Sequence, residues 1–207
     1  MILADIGNSR MHIYDGKEVI HLDHQKGIEQ YAHQDLCYIT VNHQLKSDLS
    51  QLQRWRDISS LIHLPNEYET MGIDRKALCL SHPNGIFVSA GSAITVDLVA
   101  DGIYQGGFLL PGIRSYLKAF GDISPALLVE LDRRINIEHL PRSTQEGISY
   151  GIVGSIKALI EKHREDKRLY ISGGDGAFLS SFFEGAVFDE RLIFQGMKRI
   201  LEGMSDH

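Results

Sequence analysis

The first 22 residues alternate short apolar segments with turn signals. An apolar run at 2–6 leads into Gly7-Asn8-Ser9, and alternating segments at 10–14 and 18–22 are separated by Asp15-Gly16. Alternating segments joined by turns of this kind are typical of antiparallel hairpins. The pattern therefore predicts a three-stranded antiparallel meander.

The second half of the chain repeats this pattern. An apolar run at 85–89 is followed by Gly91-Ser92-Ala93, and segments at 94–100 and 103–110 are separated by Asp101-Gly102. The two glycine turns align as Asp5-Ile6-Gly7-Asn8-Ser9 with Ser89-Ala90-Gly91-Ser92-Ala93. The repeat indicates two related half-domains, and a chance match of two glycine hairpins is the alternative.

The remaining segments predict helices and short strands in alternation. Apolar residues at helical spacing predict a helix over 45–55, and short apolar runs predict strands at 37–41 and 60–64. The capping box Ser143-Thr144-Gln145-Glu146 predicts a helix that continues to about residue 166. Further elements are a strand at 168–172, a loop at 173–176, and helices at 177–183 and 191–202.

Alternation of strands and helices indicates an α/β fold built from layers. We expect an N-terminal half-domain over 1–82 and a C-terminal one over 83–207. The final helix would be able to pack back toward the N-terminal half-domain.

Composition narrows the possible partners and compartments. The 207 residues carry a net charge of −6 with no run of Lys or Arg, which argues against nucleic acid or an anionic membrane as the main partner. No apolar stretch reaches the ~18 residues of a membrane span, and the N-terminus lacks the basic segment of a signal peptide. Cys37 and Cys79 have no metal-type spacing, so we expect reduced thiols in a cytoplasmic protein.

The first glycine turn has the residue types of a phosphate-binding loop. Gly7 permits close approach of a ligand, and backbone N–H groups with the side chains of Asn8 and Ser9 can bind phosphate oxygens. Asp5 can orient a hydrated Mg²⁺. An ordinary β-hairpin is the alternative. The second turn at Gly91 and Ser92 favours the functional interpretation, since two such hairpins facing a cleft could hold a polyphosphate.

Two further motifs carry candidate chemistry. Gly173-Gly174-Asp175 follows a predicted strand and would allow close approach of a flat or anionic ligand, with a plain helix cap as the alternative. In Gly72-Ile73-Asp74-Arg75, Asp74 could accept a proton from an attacking hydroxyl while Arg75 holds an anionic group. A surface ion pair is the alternative for Asp74 and Arg75. The P-loop pattern and a complete GxGxxG pattern do not occur.

In this order the motifs resemble those of type III pantothenate kinases. The resemblance runs nearly end to end and implies the actin-like, acetate and sugar kinase, heat-shock ATPase fold group, with two ribonuclease H-like half-domains of mixed sheets flanked by helices. The matching segments are Asp5-Ile6-Gly7-Asn8-Ser9, Gly72-Ile73-Asp74-Arg75, Gly91-Ser92-Ala93-Ile94-Thr95-Val96-Asp97, Gly106-Gly107, Pro111-Gly112, Ser143-Thr144 and Gly173-Gly174-Asp175.

The resemblance also implies roles for individual residues. Asp74 would be the proton acceptor in phosphorylation of the primary hydroxyl of pantothenate by ATP, the first committed step toward coenzyme A. Pantothenate would be bound by Tyr68, Gly72, Ile73, Asp74, Arg75 and Thr144. The phosphates of ATP would be bound by Asp5, Ile6, Gly7, Asn8, Ser9, Arg10, Met11, His12, Gly91, Ser92, Gly173 and Gly174.

The family implies Mg²⁺, held through water by Asp5, a monovalent cation such as K⁺ or NH₄⁺, and a homodimer. One position departs from the family. Ser89 stands where the second phosphate loop usually begins with an Asp that helps to bind the monovalent cation, so we expect weakened or altered K⁺ dependence. An actin-like kinase for another small alcohol and a non-catalytic regulatory protein on the same scaffold are the alternative functions.

Overall fold

The computed structural model describes residues 1–203 and divides into two compact units. Unit 1 contains Met1–Asn84 and Leu98–Gly106, together with residues 190–203. Unit 2 contains Gly85–Asp97 and Gly107–Asp189. The chain thus passes from one unit to the other four times.

Ten strands and seven α-helices make up the described chain, with two short 3₁₀ helices at Ser59–Leu61 and Pro125–Leu127. The strands are β1 (Ile2–Ile6), β2 (Met11–Tyr14), β3 (Val19–Leu22), β4 (Leu36–Thr40), β5 (Trp55–Asp57), β6 (Gly85–Ala90), β7 (Ala93–Ala100), β8 (Ile103–Pro111), β9 (Leu169–Ser172) and β10 (Val187–Phe188). The helices are α1 (His24–Tyr31), α2 (Lys46–Ser50), α3 (Ile73–Cys79), α4 (Ile113–Ile123), α5 (Thr144–Arg164), α6 (Gly176–Ser180) and α7 (Leu192–Gly203).

Two five-stranded sheets share one strand order. The first has the order β3-β2-β1-β4-β5, and the second has β8-β7-β6-β9-β10. In the first sheet β1 pairs antiparallel with β2 and parallel with β4, so the sheet is mixed. In the second, β9 pairs parallel with both β6 and β10. The predicted N-terminal meander and the predicted fold class of two related half-domains are both confirmed.

Alternation along β1 places Asp5 on the opposite face of the sheet from the buried cluster that contains Trp55. Ala4 and Ile6 belong to a buried cluster with Met11 and Trp55, in which the Trp55 indole N–H donates to the Tyr31 carbonyl at 3.1 Å. Because successive side chains of a strand point to opposite faces, Asp5 lies on the other side of the sheet. Helices α3 and α7 contact β4 and β1 respectively.

Helices α3 and α7 pack closely within unit 1. A Cβ added to Gly196 would lie well inside 3.0 Å of the Ala77 carbonyl oxygen, a separation that real Cβ atoms essentially never show. Phe194 and Met197 of α7 and Leu78 of α3 are buried beside this point. The absence of a side chain at Gly196 therefore sets how near α7 comes to α3.

Unit 2 carries the long helix α5. Its N-cap is Ser143, whose hydroxyl accepts a hydrogen bond from the Glu146 N–H at 3.2 Å, so the predicted helix start is confirmed. The predicted helix at 177–183 is found as α6, which is shorter. Within residues 1–203 no helix has the length and apolar character needed to cross a bilayer.

Two sequence predictions in the middle of the chain are wrong. The predicted helix over 45–55 ends at Ser50, and Trp55 instead begins β5, where it pairs with Leu36 of β4. The predicted strand at 60–64 is missing, because residues 59–61 form a 3₁₀ helix. In both cases burial of apolar side chains against β4 and its neighbours outweighs the local periodicity.

Candidate active site

Asp5 occupies a buried position at the end of β1. Its side chain is 7% exposed, and Oδ1 has no hydrogen-bond partner in the part of the chain that the structure describes. Burial, and to a lesser degree the charge of Asp74, raises the pKa of the Asp5 carboxyl to about 8. An orphaned buried carboxylate oxygen of this kind is suited to receive positive charge from a ligand.

A glycine turn follows Asp5 and exposes polar groups. The Gly7 N–H donates to the Arg10 carbonyl at 3.0 Å, which closes the turn and leaves Asn8, Ser9 and Arg10 exposed. The imidazole of His24 donates through Nε2 to the Gly7 carbonyl at 2.9 Å. His24 thus supports the turn from α1, a role that no motif in the sequence indicated.

Other residues of the predicted phosphate-binding loop are buried or contact neighbouring side chains. The side chains of Ile6 and Met11 are fully buried in the core, so either could meet a ligand only through its backbone. His12 is the register partner of Asp5 on β2 and lies 2.6 Å from His21, measured between the two Nδ1 atoms. Burial, with smaller effects of His21 and Arg10, lowers the pKa of the His12 imidazole to about 4.

The N-terminus of α3 presents Asp74. Gly72 is the N-cap residue, and a Cβ added there would lie 2.6 Å from Oδ1 of Asp74. The same oxygen accepts a hydrogen bond from the Arg75 N–H at 2.9 Å. Gly72 therefore leaves the space in which the Asp74 carboxylate folds back over the start of the helix, and Ile73 is half-buried beside it.

Arg75 is held among two tyrosines. It is only 5% exposed, and its Nη1 donates to the Tyr68 hydroxyl while Nη2 donates to the Tyr104 hydroxyl at 3.3 Å. The guanidinium carbon lies 5.6 Å from the centre of the Tyr68 ring, within range of a cation–π interaction. The family resemblance implied Tyr68 and Arg75 but not Tyr104, which lies in β8 and belongs to no motif.

In unit 2 a second glycine turn is enclosed by backbone. The Gly91 N–H donates to the Ala93 carbonyl, and the Gly112 N–H donates to the Ser92 carbonyl, both at 3.1 Å. A Cβ on Gly173 would lie 2.5 Å from the Ala90 carbonyl oxygen, and Gly173 has a φ of +93°, which favours glycine. The turn leaves the Ser92 side chain exposed.

Other predicted residues of unit 2 lie at strand and helix ends. Ser89 is half-buried in β6 and is the register partner of Ser172 at the end of β9, so it lies beside the loop that begins with Gly173 and Gly174. Asp175, next in that loop, pairs with Arg133 at 3.4 Å. Thr144 is the exposed first residue of α5.

The donor set suits a weakly held, hydrated cation. Among residues 1–203 no group of three or more His, Cys, Asp or Glu side chains could hold a metal ion. Mg²⁺ commonly keeps several waters and uses one or two carboxylates together with substrate phosphates. The buried, unpartnered Oδ1 of Asp5 fits that pattern and does not fit a cage made entirely of protein ligands.

Comparison with solved structures defines the fold. Component A of (R)-2-hydroxyglutaryl-CoA dehydratase from Acidaminococcus fermentans covers 95% of this chain with a TM-score of 0.51 and 11% identity. A 2-dehydro-3-deoxygalactonokinase protein from Sinorhizobium meliloti covers 98% with a TM-score of 0.52 and 10% identity. At such identities the likeness concerns the fold alone. Together with the two sheets of one strand order, it identifies an actin-like fold.

Closer relatives give the family. The family model for type III pantothenate kinases matches residues 58–166. A type III pantothenate kinase from Campylobacter jejuni (strain RM1221) is 38% identical over 98% of this chain and 97% of its own length. One from Helicobacter pylori (strain J99 / ATCC 700824) is 34% identical over 98% of this chain and 91% of its own length. The chain belongs to the type III pantothenate kinase family.

A solved structure is similar over the whole chain. The crystal structure of a conserved Campylobacter jejuni protein, described as a candidate Baf family transcriptional activator, matches over 100% of both chains with a TM-score of 0.91 and 35% identity. Because both chains are covered completely, the two folds correspond from end to end.

Proposed function

We propose that the protein transfers the γ-phosphoryl group of ATP to the primary hydroxyl of pantothenate, giving 4'-phosphopantothenate and ADP. The observation that carries this proposal is the start of α3, where the carboxylate of Asp74 adjoins the buried cation of Arg75. This arrangement occurs in a chain 38% identical to a curated type III pantothenate kinase. The reaction is the first step of coenzyme A synthesis and would occur in the cytoplasm.

Asp74 is the proton acceptor in this proposal. The substrate hydroxyl oxygen forms a bond to the γ-phosphorus, the bond from phosphorus to the β–γ bridging oxygen breaks, and the hydroxyl proton passes to Asp74. A loose phosphoryl-transfer transition state depends mainly on positioning and charge, so an ordinary carboxylate suffices as the base. Gly72 supports this role by leaving room for the Asp74 side chain at the helix N-terminus.

Arg75 binds the carboxylate end of pantothenate. A planar guanidinium suits two parallel hydrogen bonds to a carboxylate, and the neighbouring Lys76 is already paired with Glu67 at 2.7 Å. We propose that Tyr68, Gly72, Ile73 and Thr144 complete the pantothenate contacts. Half-buried Gly72 and Ile73 and exposed Tyr68 and Thr144 are compatible with such contacts.

In this proposal the glycine turns bind the phosphates of ATP. Backbone N–H groups and polar side chains of residues 5–12, with those of Gly91, Ser92, Gly173 and Gly174, bind the phosphates. Mg²⁺ bound through water to Asp5 would neutralise developing phosphate charge. Burial of Asp5 without a hydrogen-bond partner at Oδ1 supports this assignment, because a nearby cation favours the ionised carboxylate.

The monovalent cation and the dimer are further parts of the proposal. Ser89 offers an uncharged hydroxyl where the family resemblance implies a carboxylate, so in this proposal K⁺ or NH₄⁺ binds weakly and activation needs higher cation concentrations. We also propose the homodimer that the family implies.

The test is an assay of the purified protein with pantothenate, ATP, Mg²⁺ and K⁺, read as ADP formation and as the phosphorylated product. Asp74→Asn should abolish pantothenate-dependent turnover and leave ATP affinity, measured by calorimetry, within twofold of the wild type. Glu69→Gln, which removes the charge of an exposed residue in the same region, is the matched control. If no ADP forms in response to pantothenate with any of the cations tested, the proposal is wrong.

A regulatory role is the second candidate, because the similar Campylobacter structure is described as a transcriptional activator. The net charge of −6 argues against direct binding of DNA, since the phosphate backbone attracts clusters of Lys and Arg. Asp5 and Asp74 also favour catalysis, because a binding module needs neither carboxylate. ADP formation that requires pantothenate would support the kinase activity over the regulatory role.

A further inference from the structure

Tyr104 lies beside the substrate-binding residues but belongs to no motif. Its side chain is only 4% exposed. Its backbone connects β8 by hydrogen bonds to the segment before Tyr68. The Tyr104 N–H donates to the Pro65 carbonyl at 2.9 Å, and its carbonyl accepts from Nδ2 of Asn66 at 2.8 Å. These two hydrogen bonds fix the position of Tyr104 relative to the segment that leads to Tyr68.

The hydroxyl of Tyr104 accepts a hydrogen bond from Arg75. The two terminal nitrogens of the guanidinium donate to different phenols, Nη1 to Tyr68 and Nη2 to Tyr104 at 3.3 Å. The tyrosine rings lie 6.0 Å apart at 49° to each other. Because a guanidinium is planar, oxygen acceptors on two of its arms fix both its position and the orientation of its plane.

The orientation of that plane matters for a carboxylate ligand. Two parallel hydrogen bonds form only when the guanidinium and the carboxylate are nearly coplanar, whereas an ammonium group has no such requirement. Lys76 cannot take over this task, since its ammonium is bound to Glu67, which also accepts from the Leu64 N–H. Recognition of an anionic substrate therefore depends on how Arg75 is held.

We infer that Tyr104 is a positioning residue that orients Arg75 and so makes the site select substrates that carry a carboxylate. This inference rests on the proposed pantothenate kinase activity. Tyr104 itself contacts neither the phosphoryl group nor the proton that is transferred. Its loss should therefore weaken binding of the anionic substrate and leave the chemical step and ATP binding nearly unchanged.

The experiment compares Tyr104→Phe with the wild type on two ligands. One is pantothenate, and the other is its neutral analogue in which the carboxylate is reduced to an alcohol, measured as a substrate and as a competitive inhibitor. The KM for pantothenate should rise about tenfold, as expected for loss of a hydrogen bond to a charged group. The kcat, the KM for ATP and the affinity for the neutral analogue should change less than about twofold, because none of these depends on a carboxylate contact.

Two other variants separate positioning from folding. Tyr68→Phe removes the other hydroxyl that accepts from Arg75, on a side chain that is 40% exposed. It should therefore weaken binding of pantothenate and not of the neutral analogue, with little effect on stability. Tyr14→Phe removes a hydroxyl that donates to the Gly16 carbonyl and should leave both ligands unaffected. Thermal unfolding of each variant reports whether the fold is intact.

The outcomes distinguish the inference from the function on which it rests. A wild-type protein without pantothenate-dependent turnover overturns the proposed function and this inference with it. An active wild type whose Tyr104→Phe variant loses affinity equally for the acid and the neutral analogue overturns the inference alone, because a merely structural role has that signature. A raised pantothenate KM with unchanged affinity for the analogue supports it.

Discussion

The contact between α7 and α3 should make Gly196 one of the least replaceable glycines in unit 1. In Gly196→Ala the new methyl group would be more than an ångström too close to the Ala77 carbonyl oxygen. A backbone carbonyl cannot rotate away as a flexible side chain can. The two helices must therefore separate, or α3 must shift along the sheet.

The free-energy cost follows from two opposing effects. Overpacking a tight contact typically costs roughly 1–3 kcal/mol, and a clash with backbone belongs at the upper end of that range. Alanine gains about 1 kcal/mol over glycine in a helix interior. We therefore expect Gly196→Ala to lower the free energy of unfolding by about 2 kcal/mol, which for a chain of this size corresponds to a Tm lower by about 4–8 °C.

Activity should fall as well, because α3 also carries Asp74 and Arg75. A displacement of about 1 Å at a reacting group can cost about a hundredfold in rate. We expect kcat/KM for pantothenate to fall at least tenfold in Gly196→Ala at temperatures where the variant is folded.

The assay pairs thermal unfolding and pantothenate kinetics with the same substitution elsewhere. Gly151 lies within α5, and a Cβ added there meets nothing within 4 Å. Gly151→Ala should therefore raise stability by up to about 1 kcal/mol through helix propensity alone. If Gly196→Ala were as stable as Gly151→Ala, the argument from the helix contact would be refuted.

Three further predictions concern single residues. Gly72→Ala should lower kcat with little change in Tm, because the new Cβ displaces the flexible Asp74 carboxylate; equal kcat in the two proteins would contradict this. Ser89→Asp should lower the K⁺ concentration for half-maximal rate, and an unchanged K⁺ titration would count against a cation site there. The pKa of His12 is lowered to about 4 in the folded state, so the unfolded state binds more protons between pH 6.5 and 4. The His12 contribution to stability should fall by about 3 kcal/mol as pH decreases through that window. It is measured as the change with pH in the difference in unfolding free energy between the wild type and His12→Gln, because the raised pKa of Asp5 has the opposite effect in both proteins; a difference that stays constant with pH would contradict it.

The strand pattern of both halves could be predicted from the sequence because it depends on local signals. Alternation of apolar and polar residues sets which face of a strand is buried, and the turns at Gly7 and Gly91 mark where each hairpin reverses. The repeat about these turns also predicted two related half-domains, and the shared strand order of the two sheets agrees with that prediction.

The errors and omissions arise from contacts between residues distant in sequence. Trp55 has helical spacing from its neighbours, but the strand that it begins pairs with β4, and its indole bonds the Tyr31 carbonyl. Helix α1 was missed because Gly27 interrupts its pattern, and only the Met11 sulfur, 2.5 Å from an added Cβ, explains that glycine. Tyr104 is 29 residues from Arg75, and no spacing rule relates the two.

The second glycine turn is enclosed by backbone atoms of Gly112 and of the Ala90–Gly173 contact, and its shape does not depend on which side chains it presents. Substitutions at Ser89 or Ser92 can consequently alter ligand chemistry while the loop keeps its path. Under the proposed function, the cation requirement of such a loop can change without rebuilding the fold, whereas a side chain at Gly112 or Gly173 would move the loop itself.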